Sequence, residues 1–298
     1  MRKIKRAEHR AIENSNNKED FYVVSVDLSY DGDADTAVIV GRVSPGEYRF
    51  TYKFVNLFTI DVANYETVAN IIKSTCLLYN ARMLIYDANG VGAPLREYLN
   101  KVTYTQKGEV LPAFGIINPP TDIADQLRKV KDKALNICYE IKSGGQKGST
   151  IHGIFLGKMT SGAIRLLVKS GEAISHFQKT KIFMEASAQK KDRYMRPYRY
   201  TDLFEEELKN LDFKQDIANE NMIKVIRRNN KIQKDFFSAA EYLVYGVVQE
   251  IELPYYKKKK ELQTKKYSLT SGTFNNGTGD HDINKRRNGS ITNRRRKR

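Results

Sequence analysis

Two short apolar runs that each end on an aspartate limit the fold more than any other feature of this chain. Residues 21–26 (FYVVSV) close at Asp27, and residues 82–86 (RMLIY) close at Asp87. Apolar runs of this length, rich in β-branched and aromatic side chains and bounded by turn residues, mark buried strands. Residues 36–43 and 48–58 follow the turn-rich DGDAD and SPGE stretches, which predicts three strands joined by hairpins. Residues 64–79 set Val68, Ile71, Ile72, Thr75 and Leu78 at helical spacing ahead of the Asp87 strand. A second helix is predicted over 91–99, entered through the Asn89-Gly90 turn, and a further strand over 113–118, closed by Pro119-Pro120.

The order βββαβαβ is that of an α/β fold: three antiparallel strands, then helical crossovers into parallel strands, with helices covering the faces of a mixed sheet. Beyond it the pattern predicts helices over 149–159, 171–177, 201–211 and 235–250, and strands over 135–140, 164–168 and 223–228. No internal repeat is visible. Cys76 and Cys138 lie in apolar stretches without a CxxC partner, so they read as small core residues in a reducing setting and not as a zinc site. His9, His152, His176 and His281 are scattered, with no ligand spacing and no acid paired to them in sequence.

The charge is concentrated at the ends. The chain of 298 residues has 51 Lys+Arg against 35 Asp+Glu, a net +16, and its last 42 residues alone carry 14 basic and three acidic side chains. The first ten add five basic residues against Glu8, so the body between is nearly neutral. This divides the chain into a basic linker over 1–20, a folded domain over 21–253, and a basic tail over 254–298 whose Ser, Thr, Asn and Gly content predicts disorder. Blocks such as KKKK at 257–260 and RRRKR at 294–298 suit a polyanion, while a solubilising tail and a nuclear-import signal remain open readings. Neither a long apolar run nor a leader-like start is present, which predicts a soluble, unexported protein without membrane contact.

Asp27 and Asp87 end strands that the crossover makes neighbours, so both are expected at one edge of the sheet. Asp235 opens the last helix, where Ser238, Ala239, Tyr242 and Gly246 share a face whose small residues let the helix lie close to the sheet. Three carboxylates gathered there would repel one another unless divalent cations neutralised them, and oxygen-only ligands favour Mg²⁺ or Mn²⁺. Each acid also has an ordinary alternative: Asp27 and Asp87 as acceptors for turn N–H groups, Asp235 as a helix N-cap. Asp35 or Asp33 is a further possible ligand, or part of a solvated turn. Lys190, Lys191, Arg193, Arg196 and Arg199 interleave with Tyr194, Tyr198 and Tyr200, a mixture suited to DNA contact or to a solvated connector. Lys231 and Lys234, just before Asp235, are placed to steer a phosphate.

DLSYDGDADTAVIVG, YDANGVGAPLREYL and KDFFSAAEYLVYG resemble the three acidic motifs of the nuclease domain of phage terminase large subunits. SGAIRLL at 161–167 and RPYRYTDLFEEELKNL at 196–211 are similar to intervening segments of that family. The resemblance implies an RNase H-like fold and a metal-dependent endonuclease that cuts concatemeric double-stranded viral DNA through two metal ions held by Asp27, Asp87 and Asp235, with Asp27 bridging them. It also implies a small terminase subunit and a portal as partners, and action in the cytoplasm of an infected bacterium. A resolvase or RNA–DNA hybrid hydrolase on the same fold, and a non-catalytic DNA-binding or assembly subunit of a packaging motor, are the alternatives. The family joins this nuclease to an N-terminal ATPase, but no G-x-x-x-x-G-K-[ST] loop precedes Asp27, so the motor is expected in trans or missing from the chain. GGQKGST at 144–150 departs from that loop and is expected to be a flexible loop near the DNA groove. Some relatives carry a histidine just before the third acid; here the residues are Lys231-Ile232-Gln233-Lys234.

Overall fold

The computed structural model describes residues 5–6, 18–29, 35–62, 64–90, 92–118, 134–216 and 222–271. Its centre is an eight-stranded mixed sheet. Strands β2 (Phe21–Asp27), β3 (Thr36–Ser44) and β4 (Thr51–Ile60) form the antiparallel meander. Helix α1 (Tyr65–Leu78) crosses over to β5 (Met83–Asp87), which pairs in parallel with β2, Val23 opposite Met83 and Val26 opposite Tyr86. Asn64 caps α1 by accepting from Thr67 N at 3.0 Å. Helix α2 (Gly92–Leu99) follows, then a short hairpin of β6 (Thr103–Tyr104) and β7 (Val110–Leu111), and the strands β8 (Phe114–Ile116) and β9 (Leu135–Ile141). With β1 (Lys5–Arg6) and β10 (Ile164–Leu166) at the far edge, the order is β1-β10-β4-β3-β2-β5-β9-β8. This is a mixed sheet in which an antiparallel meander continues into parallel strands, as the sequence predicts.

The strand beside β5 is β9, and the strand predicted over 113–118 is present as three residues on the outer side of β9. β9 is held there by a buried ion pair. Arg96 of α2 reaches Glu140 through Nε at 2.5 Å and Nη2 at 2.7 Å, and Tyr86 donates to the same carboxylate at 2.6 Å. A buried charge is tolerated because it is paired in both directions.

Val24, Val26, Val38, Val40, Leu84 and Tyr86 form one face of the sheet and pack on α1 and α2, with Cys76 and Cys138 in the same core. Both cysteines are free thiols. The opposite face is covered by α7 (Asp235–Val247), whose residues from Phe236 onward are all buried. A helix buried all round has no polar face to give up. It lies close to the strands because a Cβ at Gly246 would stand 2.6 Å from Ile85 Cδ1, and one at Gly41 2.9 Å from Leu243 Cδ1.

Helices α3 (Gly145–Thr160) and α6 (Ala188–Lys209) pack on α7, with the hairpin β11 (Leu211–Gln215) and β12 (Ile223–Arg227) beside them, while α4 (Ser170–Phe177) and α5 (Lys181–Met184) pack on α6. The expected flexible GGQKGST loop is the first turn of α3 instead, and the helix expected at 201–211 begins at Ala188 and runs through Pro197. After α7 comes one π-helical turn, Val248–Glu252. It brings Glu252 inward, where Lys158 Nζ reaches it at 2.5 Å and the Tyr52 hydroxyl donates to it.

Residues from Tyr255 onward form a separate unit. Helix α8 (Leu253–Ser271) occupies the start of the segment for which the sequence predicts a disordered tail, while residues 272–298 lie outside the described residues. Among the described residues no helix is long and apolar enough to cross a membrane.

Candidate active site

The parallel register of β2 and β5 runs to Val26 opposite Tyr86, so Asp27 and Asp87 are the next residues of two neighbouring strands. Asp235 is the first residue of α7, which packs on these strands. The Ser238 hydroxyl, one turn on, hydrogen-bonds to Asp27. Burial at the strand end pushes the Asp27 carboxyl up to about 8; repulsion from Asp235 and, more weakly, Asp87 adds to this, while Lys234 and Ser238 oppose it. Asp235 is also raised by burial, against Lys234 and Arg227, with Asp35 adding repulsion.

The Asp87 stretch shows why its residues are spaced as they are. Asp87 Oδ1 accepts from Asn89 N at 3.0 Å, an Asx turn that starts the chain back toward α2. Gly90 then takes φ +50°, in the left-handed region, and a Cβ at Gly92 would overlap the Asp87 carbonyl oxygen. The other carboxylate oxygen accepts from Ser143, just past β9, and from Tyr242 of α7 at 3.3 Å. Asn89 Nδ2 ties back to Ser143 O at 2.6 Å. Asp87 is thus gripped from three elements, β5, the end of β9 and α7.

A cleft of about 460 Å³ beside Asp235 is lined by Asp35, Glu206 and Glu207, with Thr59 and Tyr200. Asp35 is exposed, and Asp33 lies outside the described residues. Glu207 was not among the sequence candidates. It is buried, accepts from Phe237 N at 2.8 Å and is pushed up to about 8 by burial, with Asp235 and Asp27 adding repulsion. Its signal is periodic: in EEEL the third glutamate falls three residues after Phe204 and one before Leu208, both buried, on the inner face of α6. Ser143 and Tyr242 were missed as partners of Asp87. So was the pairing of His152 Nδ1 with the buried Glu241 at 2.6 Å, which supplies the acid that the sequence does not show.

The basic candidates divide between two places. Lys231 and Lys234 are exposed at the entrance to α7 beside Asp235, and Lys234 acts electrostatically on both Asp27 and Asp235. Lys190, Lys191, Arg193 and Arg196 lie in the first part of α6, with Arg193 roughly 20 Å along the axis from Glu207 at about 1.5 Å per residue. Arg196 is paired there with Asp192 at 2.8 Å, and Lys191 lies over the Phe183 ring.

Among the described residues no three His, Cys, Asp or Glu side chains are arranged to hold a metal ion as they stand. The donor chemistry nevertheless suits one. All three acids offer hard oxygen ligands, and Asp27 is buried against two like charges, a repulsion that a divalent cation would relieve.

No family model and no curated protein matches the chain. Solved structures are similar to it. The large terminase nuclease from thermophilic phage G20c superposes with a TM-score of 0.41 at 9% identity, covering 80% of this chain and 90% of that one. The nuclease domain of the large terminase of bacteriophage SPP1, solved with bound Mn, gives 0.38 at 13% identity, covering 76% and 86%. A mutant nuclease domain of the large terminase subunit of bacterial virus Sf6, solved with manganese, gives 0.40 at 11% identity, covering 76% and 87%. Over about four fifths of its length, then, the chain is similar in structure to large terminase nuclease domains.

Proposed function

We propose that this chain is a divalent-metal-dependent endonuclease acting on double-stranded DNA, with Asp27, Asp87 and Asp235 as metal ligands. The observation that carries the reading is the burial of Asp27 against two other acids, one at the end of the parallel strand β5 and one opening α7. The three acidic sequence motifs support the same residues.

When bound, divalent cations supply an activated water and neutralise charge on the leaving 3′ oxygen during phosphodiester hydrolysis. The protein's own groups do the rest. Ser238 fixes Asp27, and Ser143 and Tyr242 fix Asp87, so the ligands approach their working orientation before metal or substrate arrives. Lys234, beside two of the acids, draws a scissile phosphate toward them, and Lys231 extends the same positive edge. Asp35 serves at most as an auxiliary ligand. Concatemeric viral DNA as substrate, two ions of Mg²⁺ or Mn²⁺, an ATPase motor, a small terminase subunit and a portal as partners, and the host cytoplasm as the site of action belong to the same proposal, through the sequence resemblance alone.

The test is cleavage of plasmid DNA by the purified chain across a Mn²⁺ and Mg²⁺ titration. Cutting that a chelator stops and that Asp87→Asn abolishes, with folding retained, supports the proposal; cutting retained in Asp87→Asn removes that residue from the site. A second reading, a DNA-binding subunit without chemistry, is favoured by the acids not closing on an ion as they stand. DNA binding with no cleavage under any divalent metal would establish it.

A further inference from the structure

At the other end of α6 from Glu207, an open cavity of about 1010 Å³ lies between α1, β4 and the segment from α4 to α6. Its walls are apolar, built from Phe58, Ile71, Phe177, Phe183, Tyr194 and Pro197, with Arg193 and Arg196 also lining it. The rings brace one another: Phe177 stands 5.4 Å from Phe183 and 6.0 Å from Tyr194 between centroids. Apolar surface continues past its mouth: Ile182, which lines it, is 75% exposed, and Leu78 and Met184 beyond the lining are 75% and 56% exposed. Leu78 follows Ile71 and Thr75 on the same face of α1, since seven residues make about two helical turns.

Single exposed apolar residues need no explanation, but an aromatic hole rimmed by more of them marks a recognition surface. The surrounding charge is net positive: residues 170–199 carry seven basic and three acidic side chains, with Asp192 paired to Arg196 and Arg199. A cavity of this size is at the upper end of what small ligands fill. The apolar surface beyond its mouth would stay wet under a small molecule, and only a longer occupant covers both. Nucleic acid suits the charge and not the walls, because Tyr198 is fully buried and Tyr194 leans on Phe177 and Phe183, so these rings serve the cavity and not a row of bases.

We propose that this cavity is the docking site for an acidic, amphipathic peptide segment of a partner protein, one that seats large apolar side chains in the hole and sets Asp or Glu against Arg193 and Lys190. Aromatic residues and arginine are the side chains that carry such interfaces. The site lies apart from the acids and does not depend on their role.

The test uses the full chain and a short fluorescent helical peptide with Leu and Phe at every third or fourth position and Glu at the rest. The peptide binds, and a version with Lys in place of Glu binds at least about tenfold more weakly. Ile182→Asp, at a solvent-exposed position where folding is retained and checked by thermal melting, and Arg193→Glu each weaken binding by about tenfold or more. Equal binding of the Glu and Lys peptides, or binding indifferent to Ile182→Asp, overturns the proposal. Two further outcomes also overturn it: short duplex DNA that binds here and is lost in both variants while the peptide does not bind, and a concentration-dependent dimer that Ile182→Asp dissolves.

Discussion

The hydroxyl of Tyr242, on the buried helix α7, lies 3.3 Å from Oδ2 of Asp87 at the end of β5, and the Ser143 hydroxyl donates to the same oxygen. An acid that only ended a strand would be satisfied by its own turn, as Oδ1 is by Asn89. Two further donors from distant elements fix the carboxylate's direction. Tyr242→Phe removes one donor and keeps the ring's packing. The expected outcome is a divalent-cation affinity about 10-fold weaker, with a melting temperature close to that of the unaltered chain. Mn²⁺ titration of thermal stabilisation and of DNA cleavage checks it; an unchanged midpoint in both means that Tyr242 does not orient Asp87 for metal.

Gly92 and Gly90 are two residues apart and constrain the chain in different ways. A Cβ at Gly92 overlaps the Asp87 carbonyl oxygen, inside the backbone itself, whereas Gly90 has open space around it and only its φ of +50° to preserve. Gly92→Ala is expected to cost about 3 kcal/mol and to shift the Asp87 turn, because the atom it meets is backbone and cannot rotate away. Gly90→Ala is expected to cost about 1 kcal/mol, the penalty of a left-handed conformation for an L-residue. Denaturant unfolding of both variants compares them, and equal losses would mean that the close approach at Gly92 relaxes freely.

The sheet was legible where burial is two-sided. β2 and β5 are covered on both faces, so their sequences are unbroken apolar runs and the acids that end them stand out. The β8–β9 exchange was not, since residues 113–118 are as apolar as 135–140 and nothing local says which strand meets β5; that depends on Arg96 finding Glu140 across 44 residues. The first half of α6 was hidden by Pro197 and by dense charge, which read as a connector although Met195 and Tyr198 are buried. The glycines of 144–148 hid the start of α3 in the same way. Within the site, the acids were visible as types at strand and helix ends. Their holders were not, because Ser143, Tyr242 and the His152–Glu241 pair exist only once β9, α3 and α7 are assembled.

Lys73 gives a pH dependence remote from the acids. It is fully buried in α1, donates to Lys101 O and, at 3.2 Å, to Thr103 Oγ1, and burial lowers its amine from 10.5 to about 8. Between those two values the unfolded chain holds a proton that the folded chain has released, so stability rises with pH across that window; below it both states are protonated, the cost of burying the ammonium is fully present and the group adds no pH dependence. Lys73→Met removes the contribution. The stability difference between Lys73→Met and the unaltered chain is therefore expected to change, in favour of the latter, by on the order of 3 kcal/mol as pH rises from about 8 to 10.5. Urea unfolding of both proteins at a series of pH values measures it, and parallel curves would place the Lys73 ammonium in contact with water.

Glu207 separates two roles that a buried acid near Asp235 can have. Its carboxyl accepts from Phe237 N at 2.8 Å, inside the first turn of α7, where a helix has backbone N–H groups without internal partners. Burial pushes it up to about 8, as it does Asp27, while the hydrogen bond from Phe237 N favours the carboxylate, so the shift alone does not separate a cap from a ligand and the hydrogen bond carries the argument. Glu207→Gln keeps an acceptor oxygen without a titratable carboxyl, and is expected to change stability by less than about 1 kcal/mol and to leave metal-dependent cleavage intact. Glu207→Ala leaves the Phe237 N–H unsatisfied in the interior and opens a void, and is expected to cost about 2–3 kcal/mol. Thermal melting with cleavage assays on both variants distinguishes the roles. If Glu207→Gln melts normally yet no longer cuts DNA, Glu207 is a fourth acid of the site, and the capping role argued from its bond to Phe237 N is not its only one.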